Sequence, residues 1–386
     1  MRSRETILAP GIVAVDVQLQ PVLNMLNSHE LLGMASVRSG LDSWVYQTSA
    51  RLSPEQHRMV KMLYYGIPGI TTIERAQDWT HFEEFLKIYE EMDAATIILA
   101  DALRWCEHKA GQSADGGPSL DDLIANPDRY AASLMDADDP SLTHEIALEA
   151  HRFLTDPVGM HRAAAAHLRE MWLQYLRPEW ARRLPEVEAS IAALLQLTGP
   201  ATLVEAVRTI TGRDVSGWMS EDYYASVEAV IFVPSPHMGP YITVYEASSE
   251  SVARFSIGAR TPGPEVAPLG AFEVRSRLEA LADPARLQIV RMLAARAEMS
   301  TEEIMEAVDL SKSNASRHLR LLTATGLISE RREGGAKKVY SSNTDTVQTL
   351  IRALQRTLLR VGGERIDVES AAGAGAGFPA RASDPT

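Results

Sequence analysis

The chain has 386 residues, a formal net charge of -13, 45 % apolar and 23 % charged residues. That is enough chain for two or three globular domains, each with a sizeable core. Its one cysteine, Cys106, excludes an intramolecular disulfide and fits a reducing cytoplasm. No apolar run reaches the roughly 18 residues that a membrane span needs.

The N-terminus "MRSRETILAPGIVAVDVQ" carries two early arginines and a short apolar run. Pro10 and Gly11 interrupt that run and no A-x-A site follows, so no signal peptide is expected. Residues 11–19 alternate well enough for a strand. From Pro21 to about Thr211 the pattern is helical. "LSPEQHRMVKMLYY" opens with Ser53 as N-cap, Pro54 at the first helical position and Gln56 three residues on, a capping-box arrangement. "DWTHFEEFLKIYEEMDAATIILADALRWCEHKAG" predicts one long amphipathic helix ending near Gly111. Further helices follow, punctuated by Pro157, Pro178 and Gly199.

After Gly217 the period changes. "SVEAVIFVPSP", "YITVYEAS" and "VARFSIGAR" are rich in β-branched and aromatic residues and are separated by turn signals, which predicts a small antiparallel sheet over about 218–260. "TPGPEVAPLG" (261–270) holds three prolines and two glycines and reads as a linker. The Ala/Gly/Pro-rich end, 361–386, has too few large apolar residues to order itself.

Charge is divided unevenly along this plan. Residues 1–274 hold 21 Lys+Arg against 37 Asp+Glu, a balance of -16; residues 275–340 hold 12 against 9, a balance of +3. The locally basic segment is therefore the place to look for a polyanionic partner. In it, Leu278, Leu281, Leu287, Ile289, Val290 and Leu293 have helical spacing around Pro284, a residue that starts helices. Ser300 and Glu303 make a second capping box, for the helix "TEEIMEAV". Asp309, Leu310 and Ser311 form a tight connection, and Ser311 caps a helix running to about Thr325, where Gly326 ends it. Helix, short turn, helix is the geometry that inserts its second helix into the DNA major groove.

That second helix has an apolar stripe, Ala315, Leu319 and Leu322. Around the rest lie Lys312, Ser313, Asn314, Ser316, Arg317, His318 and Arg320, donors suited to base edges and phosphate oxygens. "LISERREGGAKKVYSS" reads as a hairpin with a two-residue Gly334-Gly335 turn, and Arg331, Arg332, Lys337 and Lys338 cluster about its tip.

The blocks "LADPARLQIVRML", "LSKSNASRHLRLLTATGLI" and "RREGGAKKVYSSN" resemble the arsenical-resistance-repressor (ArsR/SmtB-type) winged helix-turn-helix family over about 275–343. The resemblance implies a homodimeric repressor that leaves its operator when an effector binds. It also implies that Lys312, Ser313, Asn314, Ser316, Arg317 and His318 occupy DNA-reading positions. Ser311, Arg320 and the four wing cations complete the expected contact set. His318 is open to two readings, a base contact or a residue packed against the wing. Metal-sensing branches of that family carry cysteines before the recognition helix, or carboxylates and histidines on the C-terminal helix. "STEEIMEAV" and "TDTVQTLIRALQRTLL" have neither Cys nor His, so no metal and no cofactor is expected there.

Elsewhere the functional signals are weaker. His144, His151, His161 and His167, with Glu145 and Glu149, lack H-E-x-x-H spacing and read by default as core or solvated histidines. Ser235 and His237 in "PSPHMGP" lack nucleophile-elbow glycines and read as a hairpin loop. Cys106 reads as a core thiol; a sensor would need a lowered pKa. Trp172, Tyr175 and Trp180 read as core rather than ligand pocket.

The expected fold is thus α+β. A mostly helical N-terminal sensor or assembly domain with a small antiparallel sheet (1–260) precedes a winged helix-turn-helix with a C-terminal dimerisation helix (271–360). The expected protein is a cytoplasmic, non-enzymatic transcriptional regulator binding double-stranded operator DNA, a homodimer with a small-molecule effector of unknown identity. The alternatives are an N-terminal enzyme domain fused to a winged helix, or a constitutive binding module without effector.

Overall fold

The structure, a computed structural model, describes residues 11–66, 79–112, 117–135, 142–213, 215, 226–246, 251–259, 271–296, 298–333 and 337–359. The expected linker, 261–270, and tail, 361–386, lie outside the described residues.

Strand β1 (Ile12–Val17) leads into α1 (Pro21–Met34), α2 (Ser43–Ser49) and α3 (Pro54–Lys61), whose last turn widens into a π-helical turn, Met62–Gly66. The helices α4 (Phe82–Glu91), α5 (Ala94–Gln112), α6 (Leu120–Ala125), α7 (Pro127–Leu134), α8 (His144–Ala150), α9 (Arg152–Thr155) and α10 (Pro157–Met171) follow. A second π-helical turn, Trp172–Leu176, carries α10 into α11 (Arg177–Leu195); then come β2 (Ala201–Thr202) and α12 (Leu203–Thr211). Strands β3 (Ala229–Ser235), β4 (Ile242–Glu246) and β5 (Val252–Gly258) complete the N-terminal portion. The C-terminal portion is α13 (Ala271–Leu281), α14 (Pro284–Ala295), β6 (Met299–Ser300), α15 (Thr301–Val308), α16 (Lys312–Ala324), β7 (Ile328–Glu333), β8 (Lys337–Ser342) and α17 (Thr344–Leu359).

The Ser53/Gln56 capping box is present, with Pro54 opening α3. The long helix expected across 79–111 is instead two, broken at Met92–Asp93. There the Asp93 carboxylate accepts from the Thr96 hydroxyl at 2.7 Å and restarts the helix. An aspartate in mid-helix competes for backbone donors and favours a new N-cap. Pro178 does not punctuate as expected either. It sits in the first turn of α11, where its missing N–H costs nothing, and the chain passes through the π turn without a loop.

The N-terminal sheet corrects the antiparallel expectation. It is five-stranded, in the order β2-β1-β3-β5-β4. Its centre is parallel: Ala14 pairs with Ala229 and Ala229 with Val252; only the edges β2 and β4 run antiparallel. β3 and β5 are buried along nearly their whole length, the signature of a central strand covered on both faces. A cluster including Val13, Val207, Ile210, Phe232 and Phe255 packs one part of this sheet against α12. A larger cluster, from Leu23 on α1 to Leu168 on α10, holds the helices together.

Helix α1 is buried along nearly its whole length despite its polar residues. Asn27 donates to Ser256 Oγ on β5 at 2.7 Å, Ser28 Oγ lies 2.7 Å from His237 Nδ1, and His29 Nε2 lies 3.0 Å from His167 Nε2. These bonds satisfy polar groups that would otherwise be costly to bury. Among the described residues no helix is long and apolar enough to cross a membrane.

The C-terminal portion has its own core, in which Ile289, Leu293, Ile304, Leu319, Leu322, Ile328, Tyr340 and Leu350 are all buried. Its sheet is ordered β6-β8-β7. Glu333 pairs with Lys337, so three residues separate the last paired positions rather than the two expected; 334–336 themselves lie outside the described residues.

Candidate nucleic-acid interface

α15 and α16 form the helix-turn-helix. Ser300 and Glu303 make the capping box of α15 as the sequence predicts. α15 ends on Asp309, whose left-handed backbone (φ 53°) turns the chain sharply; aspartate tolerates that region better than most residues. Ser311 then caps α16 by accepting the Asn314 N–H at 3.4 Å. The predicted stripe Ala315, Leu319, Leu322 is buried and fixes which face of α16 points outward.

That outward face begins at the helix N-terminus. Ser311, Lys312, Ser313, Asn314 and Arg317 are exposed, and Ser316 and Arg320 are half-buried. Short polar donors, two cations and the positive end of a helix dipole meet here, an arrangement that can hold phosphate oxygens and reach base edges.

His318 stands apart from this set. Its ring lies at the start of α14, with Nδ1 3.4 Å from Arg286 Nη1 and 4.0 Å from Asp283 Oδ1. Burial, and then the two arginines beside it, hold its pKa below the usual histidine value despite Asp283. Of its two sequence readings, the half-buried position favours packing, against α14 rather than the wing.

The hairpin β7–β8 carries the other cations. Arg331 grips Glu298, just before β6, through both guanidinium edges; its Nε–Oε1 distance is 2.7 Å. That hydrogen bonding holds the Glu298 carboxyl below the usual range. Lys338 Nζ lies 3.3 Å from Glu330 Oε1 across the ladder. Arg332 and Lys337 pair with Lys338 and Glu333 through the backbone, and their side chains lie outside the described residues. Part of the wing's charge is therefore already paired with carboxylates.

The opposite end of α16 has a role the sequence reading missed. Arg213, after α12, donates to the carbonyls of Ala324 and, at 3.2 Å, Pro240. Arg277 on α13 donates to the Thr325 carbonyl at 3.1 Å. Two guanidinium groups thus cap the negative end of the helix. Burial, then the neighbouring Arg277, bring Arg213 down to about 10. Leu321 is also buried, although it lies off the apolar stripe: it faces Gly40 and Pro240 of the N-terminal portion. Leu321 also belongs to the C-terminal core, and a leucine off the predicted stripe was the available signal.

The remaining sequence candidates are dispersed. His144 lies 3.6 Å from Asp128 Oδ1, His151 bonds the carbonyls of Leu123 and Ile124, His161 bonds the Tyr89 carbonyl, and His167 meets His29. Among the described residues no group of three or more His, Cys, Asp or Glu is placed to hold a metal. His237 does not pair with Ser235; it lies between Ser28 and Glu179 Oε1 (3.0 Å) and stacks on Trp44, fully buried. Cys106 is buried, and burial pushes its thiol pKa up, the wrong direction for a sensor. Trp172 is buried against Phe82.

Residues 281–331 match the family model for a helix-turn-helix domain. An uncharacterised HTH-type transcriptional regulator of Mycobacterium tuberculosis is 33% identical over 88 residues, 23% of this chain and 76% of that protein. The uncharacterised HTH-type transcriptional regulator YceK of Bacillus subtilis is 34% identical over 88 residues, 22% of this chain and 87% of that protein. Among solved structures, NolR from Sinorhizobium fredii is 35% identical, with 23% of this chain and 86% of that one covered and a TM-score of 0.20. Reduced HlyU from Vibrio cholerae is 32% identical, with 22% and 88% covered and a TM-score of 0.19. At such TM-scores neither structure bears on the arrangement of the whole chain.

Proposed function

The chain belongs to the HTH-type transcriptional regulators, and on that premise we propose that it is a cytoplasmic, homodimeric repressor of the arsenical-resistance-repressor type. Its α16 reads an operator, and its N-terminal portion modulates that binding. The observation that carries this reading is the division of α16. Its N-terminal half presents Lys312, Ser313, Asn314 and Arg317 to solvent, while its C-terminal end is tied to the N-terminal portion through Arg213 and Leu321. One rigid helix thus belongs both to the DNA-facing surface and to the contact with the rest of the chain. In this reading a change in one is felt at the other, with coupling of about 1–3 kcal/mol.

The dimer reading draws support from α17, where Ile351 and Leu358, seven residues apart on one helix face, are 48% and 72% exposed. The reading gives the chain a binding role and no catalysis; Ser28, His237 and Glu179, its serine–histidine–carboxylate chain, are at most 5% exposed.

Selection of genomic fragments by the full-length protein at near-physiological salt tests the proposal. An inverted repeat, bound with a loss of roughly 1–3 kcal/mol in the Asn314→Ala variant, is the expected result. Random fragments, bound equally by that variant, would overturn it.

A further inference from the structure

A cleft of about 320 Å³ opens between α1, α3 and the start of α8, in the size range of small-molecule sites. Leu32 on α1 and Ile146 on α8 supply apolar walls. Arg58 and Lys61, one turn apart on α3, supply two positive charges, and Glu145 supplies one negative charge. Arg58 is already met by Glu149, at 3.3 Å. Lys61 is half-buried and no carboxylate among the described residues pairs with it. Partial burial lowers the pKa of its ammonium, the direction expected of a cation that has lost water and gained no anion. His57 is turned aside, its Nε2 on the Ser49 carbonyl at 2.8 Å. A carboxylate would give Lys61 the anion that Glu149 gives Arg58, and the apolar walls would cover an apolar body.

We propose that this cleft binds a small monocarboxylate with an apolar body, its carboxylate on Lys61 and Arg58. The site deepens the sensor reading of the N-terminal portion and rests on it. Its connection to α16 is short. Ser36, just past the end of α1, lines the cleft. Four residues on, Gly40 touches the recognition helix: a Cβ placed on it would fall 2.8 Å from Leu321 Cδ1. Filling the cleft pushes on the end of α1, and the next rigid neighbour along that turn is α16.

The test uses the full-length protein with benzoate and hexanoate as probes, benzyl alcohol as the neutral counterpart and inorganic phosphate as the anion without an apolar body. Calorimetry is expected to show one site per chain for both carboxylates, with Kd of about 0.1–1 mM for ligands of this size. Lys61→Met should weaken both at least about tenfold and Lys61→Arg should restore them. Benzyl alcohol and phosphate should bind much more weakly. Neither carboxylate saturating below about 10 mM, binding unchanged in a folded Lys61→Met protein, or benzyl alcohol bound equally well would each overturn the site. Tighter binding of phosphate would overturn the apolar body. Operator affinity measured alongside separates the two readings. Carboxylate bound with no change in operator affinity overturns the sensor reading and leaves the site; intact operator binding without carboxylate binding overturns the site alone.

Discussion

Arg213 of the N-terminal portion hydrogen-bonds the carbonyl of Ala324, in the last turn of the helix whose first turn faces DNA in our reading. The guanidinium is buried and shared with Pro240, so it is a tie between two folded units rather than a surface contact. Replacing it strands at least two carbonyls at a buried contact. Arg213→Met is expected to cost about 2–4 kcal/mol and to let the C-terminal portion melt separately in urea. A single transition displaced by less than about 0.5 kcal/mol would show that the tie is not structural.

The loops that meet α16 are packed through two glycines. Gly239 has φ +57°, and a Cβ there would lie 2.0 Å from the Gly40 carbonyl oxygen, a backbone atom. Gly40 has φ +82°, but its added Cβ would clash only with the end of the Leu321 side chain, the Pro240 ring lying at an ordinary 3.6 Å. Gly40→Ala should cost about 1–2 kcal/mol for its left-handed backbone, whereas Gly239→Ala should exceed about 3 kcal/mol. Thermal melts of the two variants decide the order, and equal losses would contradict this account of the contact.

Arg331 is held by Glu298, which in our reading competes with a DNA phosphate for the guanidinium. Glu298→Gln removes that competitor and one negative charge from the face. DNA affinity should rise several-fold on every sequence, and the slope of log K against log salt should steepen by up to about 0.9. An unchanged slope would place Arg331 off the DNA.

His29 and His167 share one buried contact, with His29 also 2.9 Å from the Tyr64 hydroxyl. Burial lowers His167 to about 4 from an ordinary 6.5; burial, then His167, lower His29 as well. Both groups stay neutral in the folded chain. Below pH 6.5 the unfolded chain takes up protons that the folded one refuses, so stability falls as pH falls from 6.5 towards 4. For His167 the loss reaches roughly 3 kcal/mol over that window. Urea midpoints between pH 6.5 and 5, where most carboxylates stay ionised, record the decline, and His318 and His237, also lowered by burial, add to it. His167→Gln should flatten the decline, and a wild-type midpoint constant over that range would sink the idea.

What could be read from the residues alone was local. Ser53 with Gln56, Ser300 with Glu303 and Ser311 each announced a helix start within four residues of sequence, because a cap is a contact between near neighbours. The outward face of α16 was legible for the same reason. The sheet order was not: alternation marks a strand but does not name its partner, and Ala14 finds Ala229. Ser28 and His237, 209 positions apart, and the second role of α16 through Leu321 likewise depend on pairings that no local pattern carries.

The parallel pairing of β1 with β3 also sets a timetable for biosynthesis. The first strand leaves the ribosome long before Ala229, its partner for Ala14, is made. At 5–20 residues per second the wait is roughly 10–40 s, while every N-terminal helix described here is already out. Those helices must gather with β1 unpaired on its β3 side, and the sheet closes only as the last two-fifths of the chain emerges. A nascent chain halted near residue 200 should therefore depend on chaperone protection, since it exposes that edge with nothing to cover it.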